Sequence, residues 1–204
     1  MTTTIKAIIF DFGNVLIRWN PQNLFKKYFP DINSVERFMS EVNFYEWNHR
    51  LDKGEDYKKV LAEFSAQHPK HTHLFRAYFN DEWEETILGA IPETVDILHR
   101  LSILGFYIYG LTNWSADKFI HVRREYNFCE LFADIVVSGE VKLAKPDPGI
   151  FQLLLLKINR PANECLFIDD SLTNIKAALD LGFVTIHYSS PSQLEAELYK
   201  WGLL

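Results

Sequence analysis

Cysteine is scarce in this chain of 204 residues, which contains only Cys129 and Cys165. The two positions fit no metal-binding motif, and Cys165 lies inside an apolar run, as a buried free thiol does. Free thiols are typical of a reducing compartment. The sequence therefore predicts no disulfide framework and favours a cytoplasmic location.

Long apolar runs and an excess of positive charge are also missing. No stretch is long enough to span a bilayer, and the start, MTTTIKAIIF, is not typical of a secretory signal because Asp11 follows its short apolar run at once. A net charge of −6 argues against a nucleic-acid groove. We therefore expect neither a membrane nor a nucleic-acid partner; the composition indicates no particular oligomeric state.

What the chain does have is a regular alternation of short apolar runs and helical patterns. The runs predict buried strands at 5–10, 106–111, 135–138, 165–168 and 183–188. Helices are predicted from Pro92 to Gly105, Ser115 to Tyr126, Asp147 to Ile158, Ser171 to Gly182 and Gln193 to Trp201. Strands that alternate with helices indicate a parallel sheet. The predicted fold is α/β, with a Rossmann-like parallel sheet flanked by helices.

Residues 18–90 interrupt this alternation. The segment has a helical pattern, is dense in aromatic residues and contains no run typical of a buried strand. We interpret it as an all-α helical cap, inserted into a core formed by residues 1–17 and 91–204. The cap leaves the core just after Asp11, where a cover over a reaction site would lie; a helical extension that serves stability alone is the alternative.

Polar residues follow the predicted strands where each strand ends. Asp11 follows the first, Thr112 and Asn113 follow the second, and Asp169 and Asp170 follow the run at 165–168. The carboxyl ends of parallel strands share one sheet edge, which is where open α/β sheets bind ligands. We therefore expect these side chains, together with a lysine from KLAKPDP, to converge on Asp11.

Four motifs in this order resemble the haloacid dehalogenase superfamily over essentially the full length. They are IIFDFGNVL, YIYGLTN, VKLAKPDP and CLFIDDSLTN. Within that superfamily the chain most resembles bacterial phosphatases of sugar phosphates, including α-glucose-1-phosphatases. The resemblance implies a hydrolase with a helical cap that removes phosphate from a small phosphorylated metabolite through an aspartyl-phosphate on Asp11.

The resemblance also implies a Mg²⁺ site. Carboxylate and phosphate repel each other, and Mg²⁺ is a hard cation that takes oxygen ligands. Asp11 and the carbonyl of Gly13 are expected as ligands, together with Asp169 and Asp170, of which the family suggests Asp170 as the direct one. Which of the two adjacent acids binds the metal directly is left open by the residues themselves.

The remaining motif residues are expected to hold the phosphoryl group. Thr112 offers a hydroxyl, and the amides of Asn113 and Trp114 precede a predicted helix, whose N-terminus suits an anion. Lys145 would neutralise Asp11 and the transferring group. Lys142 competes for this role; the Pro-Asp-Pro that follows Lys145 favours Lys145.

One position departs from the pattern of the family. Most of its phosphatases have a second aspartate two residues after the nucleophile, which protonates the leaving oxygen, and here that position is Gly13. A general acid contributes about 10²–10⁴-fold in rate. Either the leaving group needs little help, or another group supplies the proton, or turnover has been lost. His49 is the substitute acid suggested by its titration near neutrality.

Several cap residues are further candidates for substrate binding. The stretch Trp47–Gly54 is typical of a helix end and turn, and in capped relatives such a turn points at the crevice. On this basis Trp47, Asn48 and His49 are predicted to contact the substrate, as is Arg18, which follows the first motif closely.

Two other functions are weighed against the phosphatase. In a 2-haloacid dehalogenase, Asp11 would attack carbon without a metal, but those relatives have an aromatic residue in place of Gly13 and a serine in place of Asp169. A non-catalytic metabolite-binding or regulatory protein would retain the pocket, and only the missing general acid supports it.

Overall fold

The computed structural model describes residues 4–204, so the first three residues of the predicted core lie outside the described part. The strands of this part are β1 Ala7–Phe10, β2 Ile17–Trp19, β3 Ile87–Ala90, β4 Tyr107–Thr112, β5 Asp134–Val137, β6 Cys165–Asp169 and β7 Val184–His187. Its α-helices are α1 Pro21–Phe25, α2 Ile32–Glu41, α3 Phe44–Asp52, α4 Tyr57–Gln67, α5 Thr72–Arg76, α6 Pro92–Ile103, α7 Ala116–Glu125, α8 Ser138–Val141, α9 Pro148–Ile158, α10 Leu172–Asp180 and α11 Pro191–Lys200. The short 3₁₀ and π segments lie at Pro69–His71, Ala77–Asp81, Trp83–Thr86, Asn127–Leu131 and Ala162–Glu164.

Five strands form one parallel sheet in the order β5-β4-β1-β6-β7. Strand β1 lies at its centre, where Ile9 pairs with Tyr109 on one side and Phe167 on the other. The polar residues that follow β1, β4 and β6 therefore meet at one edge, which confirms the predicted α/β fold with its Rossmann-like sheet.

Both faces of the sheet are buried, as the near-continuous apolar strands predict. Because side chains alternate along a strand, Ala7 and Ile9 pack into one cluster with residues of α9 and α10. Ile8 and Phe10 face the other way, toward α6 and α11. The cluster that contains Ile8 and Phe10 continues without a break into the helices that precede β3.

Helices α1–α5 form the inserted cap, and aromatic rings fill its interior. Phe25 packs edge-on against Phe38 at 5.0 Å between ring centroids, and Phe64 stacks on Phe75 at 4.3 Å. Such ring pairs add about 0.5–1.5 kcal/mol beyond the area that they bury. The dense aromatic composition of this segment therefore serves the cap interior.

A short antiparallel strand pair connects the cap to the sheet. Ile17 of β2 pairs with Ala90 of β3, and Trp19 pairs with Ile87. The sequence did not predict this pair because strands of only three and four residues that are largely unburied give no signal of a buried strand. Separately, no helix within residues 4–204 combines the length and the apolar character that a membrane crossing needs.

Candidate active site

The predicted convergence at the sheet edge occurs around one lysine. Lys145, in the loop before α9, places its Nζ 2.9 Å from Oδ1 of Asp11 and 2.7 Å from Oδ2 of Asp169. The same ammonium donates to the carbonyl of Leu111 at 2.7 Å. All three charged side chains are buried, and Lys142, the competing candidate, is exposed. The structure thus brings Lys145, and not Lys142, to the acids.

The charge on Lys145 is stabilised by its position between the two carboxylates. Burial alone would lower the pKa of the ammonium, but Asp11 and Asp169 outweigh burial and raise the pKa above its ordinary value. Both acids therefore have a permanent cation beside them. A second consequence is geometric: the ammonium fixes the facing oxygens of Asp11 and Asp169 relative to each other.

Three carboxylates gather at the same edge. Asp11, Asp169 and Asp170 each offer an oxygen that lies within 4.8 Å of the others. Burial raises the pKa of Asp11 to about 7; Lys145 opposes this, and Asp169 and Asp170 add to it. Burial followed by Asp169 also raises the pKa of Asp170. One lysine thus leaves excess negative charge here, and an all-oxygen set of this kind fits Mg²⁺.

The two adjacent acids differ in how their oxygens are used. Asp169 is fully buried and accepts from Lys145, from the amide of Ser171 at 2.8 Å and from Nδ2 of Asn174 at 3.0 and 3.1 Å. Asp170 is exposed. Its carboxylate accepts from the Asn14 side chain but keeps the solvent access that a direct metal bond needs, while Asp169 is fully enclosed by protein donors.

Thr112, at the end of β4, has a buried hydroxyl without a hydrogen-bond partner among residues 4–204. An unpaired buried polar group costs about 1–3 kcal/mol. A bound ligand that supplies the missing hydrogen bond would remove this cost. The hydroxyl lies at the same sheet edge as the acids. It fits the predicted contact with a phosphoryl oxygen.

A small cavity of about 70 Å³ opens between the sheet edge and the cap. The core contributes Gly13, Asn113, Trp114, Ser115 and Lys118, and the cap side contributes Trp19, Asn48, Leu51, Asp52, Tyr78, Phe79 and Trp83. Five of these twelve residues are aromatic and five are polar or charged, a mixture that suits a small organic molecule with polar groups.

Not every residue predicted to bind substrate lies at this cavity. Asn48 lines it, but Trp47 packs in the cap interior, where its indole N–H donates to the carbonyl of Val42 at 2.8 Å. Arg18 is exposed and donates to the carbonyl of Ala90, beside a different surface groove. His49 is half-buried outside the described cavity lining. The structure therefore places Trp47, Arg18 and His49 outside the lining of this cavity, and their substrate contacts stay predictions.

The residues after β4 also have more specific tasks than an anion site. The side chain of Asn113 bonds to the backbone of Lys145. The amide of Trp114 donates to Oγ of Ser138 at 2.9 Å, so this N–H is already engaged and only the indole of Trp114 faces the cavity. This corrects the expectation that the Trp114 amide binds phosphate.

Asp52 lines the cavity but is not among the candidates that the sequence indicated. It is the last residue of α3 and is partly buried. Its carboxyl accepts from Nδ2 of Asn48 at 2.7 Å. The spacing could have identified it: residues four apart share a helix face, so the predicted role of Asn48 favours Asp52 over the adjacent Trp47 and His49.

Comparisons with known proteins agree with this geometry. A family described as haloacid dehalogenase-like hydrolase matches residues 5–182. The sesquiterpene phosphatase astK of Aspergillus oryzae is 27% identical over 191 residues, which cover 92% of this chain and 91% of that protein. Glyceraldehyde 3-phosphate phosphatase of Methanopyrus kandleri is 22% identical, over 64% of this chain and 63% of its own length.

A solved structure is similar over nearly its whole length. The wild-type HAD family enzyme BT-2542 of Bacteroides thetaiotaomicron, in complex with magnesium and inorganic phosphate, has a TM-score of 0.67 and 25% identity, over 91% of this chain and 94% of that one. Other curated relatives are longer proteins, and the chain spans 36% and 19% of two of them.

Proposed function

Since the chain belongs to the haloacid dehalogenase-like hydrolase family, we propose that it is a Mg²⁺-dependent phosphatase of small phosphorylated metabolites. The main support for this proposal is the arrangement at the sheet edge. Lys145 bridges Asp11 and Asp169, and the exposed Asp170 completes a cluster of three carboxylates. Relatives that are named as phosphatases, and one that is solved with magnesium and phosphate, support the same function.

In this proposal Mg²⁺ is held by carboxylate oxygens of Asp11 and Asp170 and by the carbonyl of Gly13, with Asp169 as a further or indirect ligand. The ion would supply positive charge against the phosphoryl oxygens, which one ammonium cannot balance alone. The Thr112 hydroxyl donates to a non-bridging phosphoryl oxygen. Lys145 stabilises the charge that develops there, at no cost of reorganisation.

Asp11 is the nucleophile of the proposal. Its backbone neighbour Phe12 donates to Oδ1 at 2.7 Å, and Lys145 reaches the same oxygen. With Oδ1 occupied, Oδ2 attacks phosphorus in line, and the bond from phosphorus to the leaving oxygen breaks. That oxygen takes the electron pair and a proton. Water then attacks the aspartyl-phosphate, which releases phosphate and regenerates the Asp11 carboxylate.

Two alternatives are weaker on the same geometry. A dehalogenase needs no metal. Without a metal ion, the three gathered carboxylates would repel one another, which is unfavourable. A non-catalytic binding protein needs no nucleophile held by an ammonium, and its support was the absence of an acid at Gly13. The cavity contains another carboxyl, on Asp52.

The proposal is tested by Mg²⁺-dependent release of phosphate from p-nitrophenyl phosphate. Asp11→Asn keeps the shape of the side chain, and we expect it to lower turnover by at least about 10³-fold while the protein stays folded. Retained turnover would exclude Asp11 as the nucleophile. Halide release in EDTA would indicate the dehalogenase, and metabolite binding without either reaction would indicate the binding protein.

Metal binding is tested without activity. Only the folded chain assembles the three carboxylates, so Mg²⁺ at about 100 times its Kd should add about 2.7 kcal/mol to the free energy of unfolding. The rise in melting temperature should shrink strongly in Asp170→Asn. A wild-type protein whose melting temperature ignores Mg²⁺ would contradict the metal site.

The proposal extends to domains, substrate and location. The catalytic core would comprise residues 1–17 and 91–204, and a cap that selects the substrate would comprise residues 18–90. The enzyme would act in the cytoplasm, in keeping with its two free cysteines. A sugar phosphate remains the predicted substrate. A screen with Mg²⁺ should include sugar-1-phosphates, acyl phosphates and, because the cavity wall contains five aromatic residues, terpenyl phosphates.

A further inference from the structure

The proposed reaction lacks a proton donor at the position where most of the family's phosphatases have one. Gly13 has no side chain, and a Cβ built there would meet nothing within 4 Å. The position instead lines the cavity between core and cap. An alkyl leaving group, whose oxygen is strongly basic, depends on a proton in the transition state. The space beside Gly13 is therefore the place to look for a donor from elsewhere in the chain.

Asp52 is a carboxyl that faces this space from the cap side. It lines the same cavity as Gly13 and Asn113. The backbone amide of Ser115, on the core, donates to its side chain, and Oγ of Ser138, also on the core, donates to its main-chain carbonyl at 2.5 Å. The residue is thus attached to the core at two points although it belongs to a cap helix.

A short chain of hydrogen bonds orients the Asp52 carboxyl. The Tyr78 hydroxyl donates to Oδ1 of Asn48 at 2.5 Å, and Nδ2 of Asn48 donates to Oδ2 of Asp52 at 2.7 Å. Tyr78 and Asn48 both line the cavity. Because the Asn48 amide is fixed by Tyr78, it presents its N–H₂ to Asp52, which makes Asn48 a positioning residue.

The surroundings of Asp52 favour its neutral form. Burial is the largest effect and raises its pKa to about 8; the hydrogen bonds from Asn48 and Ser115 oppose this, and the charge of Asp11 adds to it. Of the ammonium groups nearby, Lys145 is committed to Asp11 and Asp169, and Lys118 on α7 packs over the rings of Phe79 and Trp83. A carboxyl that keeps its proton at neutral pH can donate it.

We infer that Asp52 is the general acid and base of the reaction, an inference that rests on the proposed phosphatase function. In the first step the bond from phosphorus to the leaving oxygen breaks, and that oxygen takes the electron pair and the Asp52 proton. In the second step the Asp52 carboxylate takes a proton from the water that attacks the aspartyl-phosphate. The bond from phosphorus to Asp11 breaks, and Asp52 is protonated again.

The test separates leaving groups. p-Nitrophenolate leaves without a proton, whereas an alkoxide does not, so Asp52→Asn should lower kcat/KM, which reports the first step, by about 10²–10⁴-fold for an alkyl phosphate. Its kcat/KM for p-nitrophenyl phosphate should fall far less. Asp180→Asn, which changes an exposed acid at the far end of α10, should keep the wild-type ratio of the two rates.

A second variant adds a rescue. Because the space at Gly13 is open, Gly13→Asp can supply a new carboxyl, and Gly13→Asp/Asp52→Asn should regain alkyl phosphate turnover that Asp52→Asn alone has lost. An unchanged ratio of alkyl to aryl kcat/KM in folded Asp52→Asn would overturn the inference, whether or not the two values fall. A wild-type chain that hydrolyses neither would overturn the phosphatase itself.

Discussion

The side chain of Asn113 holds the backbone of Lys145 with two opposed hydrogen bonds. Its Oδ1 accepts from the amide of Lys145, and its Nδ2 donates to the carbonyl of the same residue, both at 2.8 Å. The residue that follows strand β4 therefore fixes the loop from which the ammonium reaches Asp11. The side chain of Asn113 thus positions Lys145, while the predicted contact of its backbone amide with phosphate stays a prediction.

We expect Asn113→Asp to lower activity through this clamp. The new carboxylate still accepts from the Lys145 amide but cannot donate to its carbonyl, which faces a negative charge instead. A loss of about 1–3 kcal/mol in the free energy of unfolding is expected. A displacement of Lys145 should also lower kcat by at least tenfold, since misplacement by about 1 Å costs up to 10²-fold.

Asn33→Asp, on an exposed face of α2, is the control. Wild-type kcat in Asn113→Asp would contradict the positioning role.

Thr112→Val should separate function from stability. The hydroxyl has no partner among the described residues, so replacing it by a methyl group should leave the free energy of unfolding unchanged or raise it by about 1 kcal/mol. Loss of the phosphoryl contact should lower kcat/KM by about 10-fold or more. In the control Thr86→Val, a buried hydroxyl that donates to the Trp83 carbonyl is lost, which should reduce stability but not activity. A destabilised Thr112→Val would mean that the hydroxyl already has a structural partner.

Much of the fold could be predicted because the signals are local. The apolar runs that precede Asp11 and Asp169 are buried strands, since both sheet faces are covered. Helix ends were marked by their own residues: Pro148 at the start of α9 follows the capping Asp147, and Gly182 follows α10. The β2–β3 pair had no such signal, because its residues pair across the whole cap insertion.

The site residues at strand ends could be predicted in the same way, whereas those on the cap could not. The convergence of Asp11, Thr112 and Asp169 could be predicted because strand ends share one edge, and Lys145 was favoured over Lys142 by the Pro-Asp-Pro that follows it. Cap residues could not be placed this way, since their facing depends on how the helices pack against the core. Two adjacent residues of α3 illustrate this: Trp47 faces the cap interior, whereas Asn48 faces the cavity.

Lys145→Met should destabilise the protein in a pH-dependent manner. Removing the ammonium leaves two buried carboxylates without their cation, which costs about 3–5 kcal/mol. Lys145 lowers the pKa of Asp11, so in the variant that pKa rises beyond about 7. A raised carboxyl pKa gives stability that is present at acidic pH and is lost as pH rises. Urea unfolding in EDTA should therefore show a larger deficit at pH 8 than at pH 5.5.

An exposed ion pair supplies the control for this variant. Lys157→Met removes the partner of Asp134 at 2.7 Å, and both of those side chains are about 40% exposed. We expect a change below about 1 kcal/mol at either pH. Equal deficits for Lys145→Met at pH 5.5 and pH 8 would show that the buried acids do not take up protons.

The pH dependence of alkyl phosphate hydrolysis should carry the signature of Asp52. Its pKa is raised to about 8, so the acid form and with it kcat/KM should fall as pH rises through about 8. In EDTA, the contribution of Asp52 to stability should be present near its ordinary pKa of 3.8 and lost by about 8, because the raised pKa belongs to the folded state. Asp52→Asn should remove both dependences. A descending limb that persists in Asp52→Asn would assign it to another group.

Gly54→Ala should disturb the turn that follows Asp52. Gly54 has φ of +80°, and a Cβ there would lie 2.7 Å from the carbonyl oxygen of Gly139 on the core. Gly105 has φ of +86° but open space around it, so Gly105→Ala shares the backbone strain, about 1–2 kcal/mol, without the clash. Both variants should therefore lose stability, but only Gly54→Ala should also lower alkyl phosphate turnover, because the turn must shift away from the core and take the Asp52 carboxyl with it. Equal activities of the two variants, with both folded, would show that the cap tolerates this shift without moving Asp52.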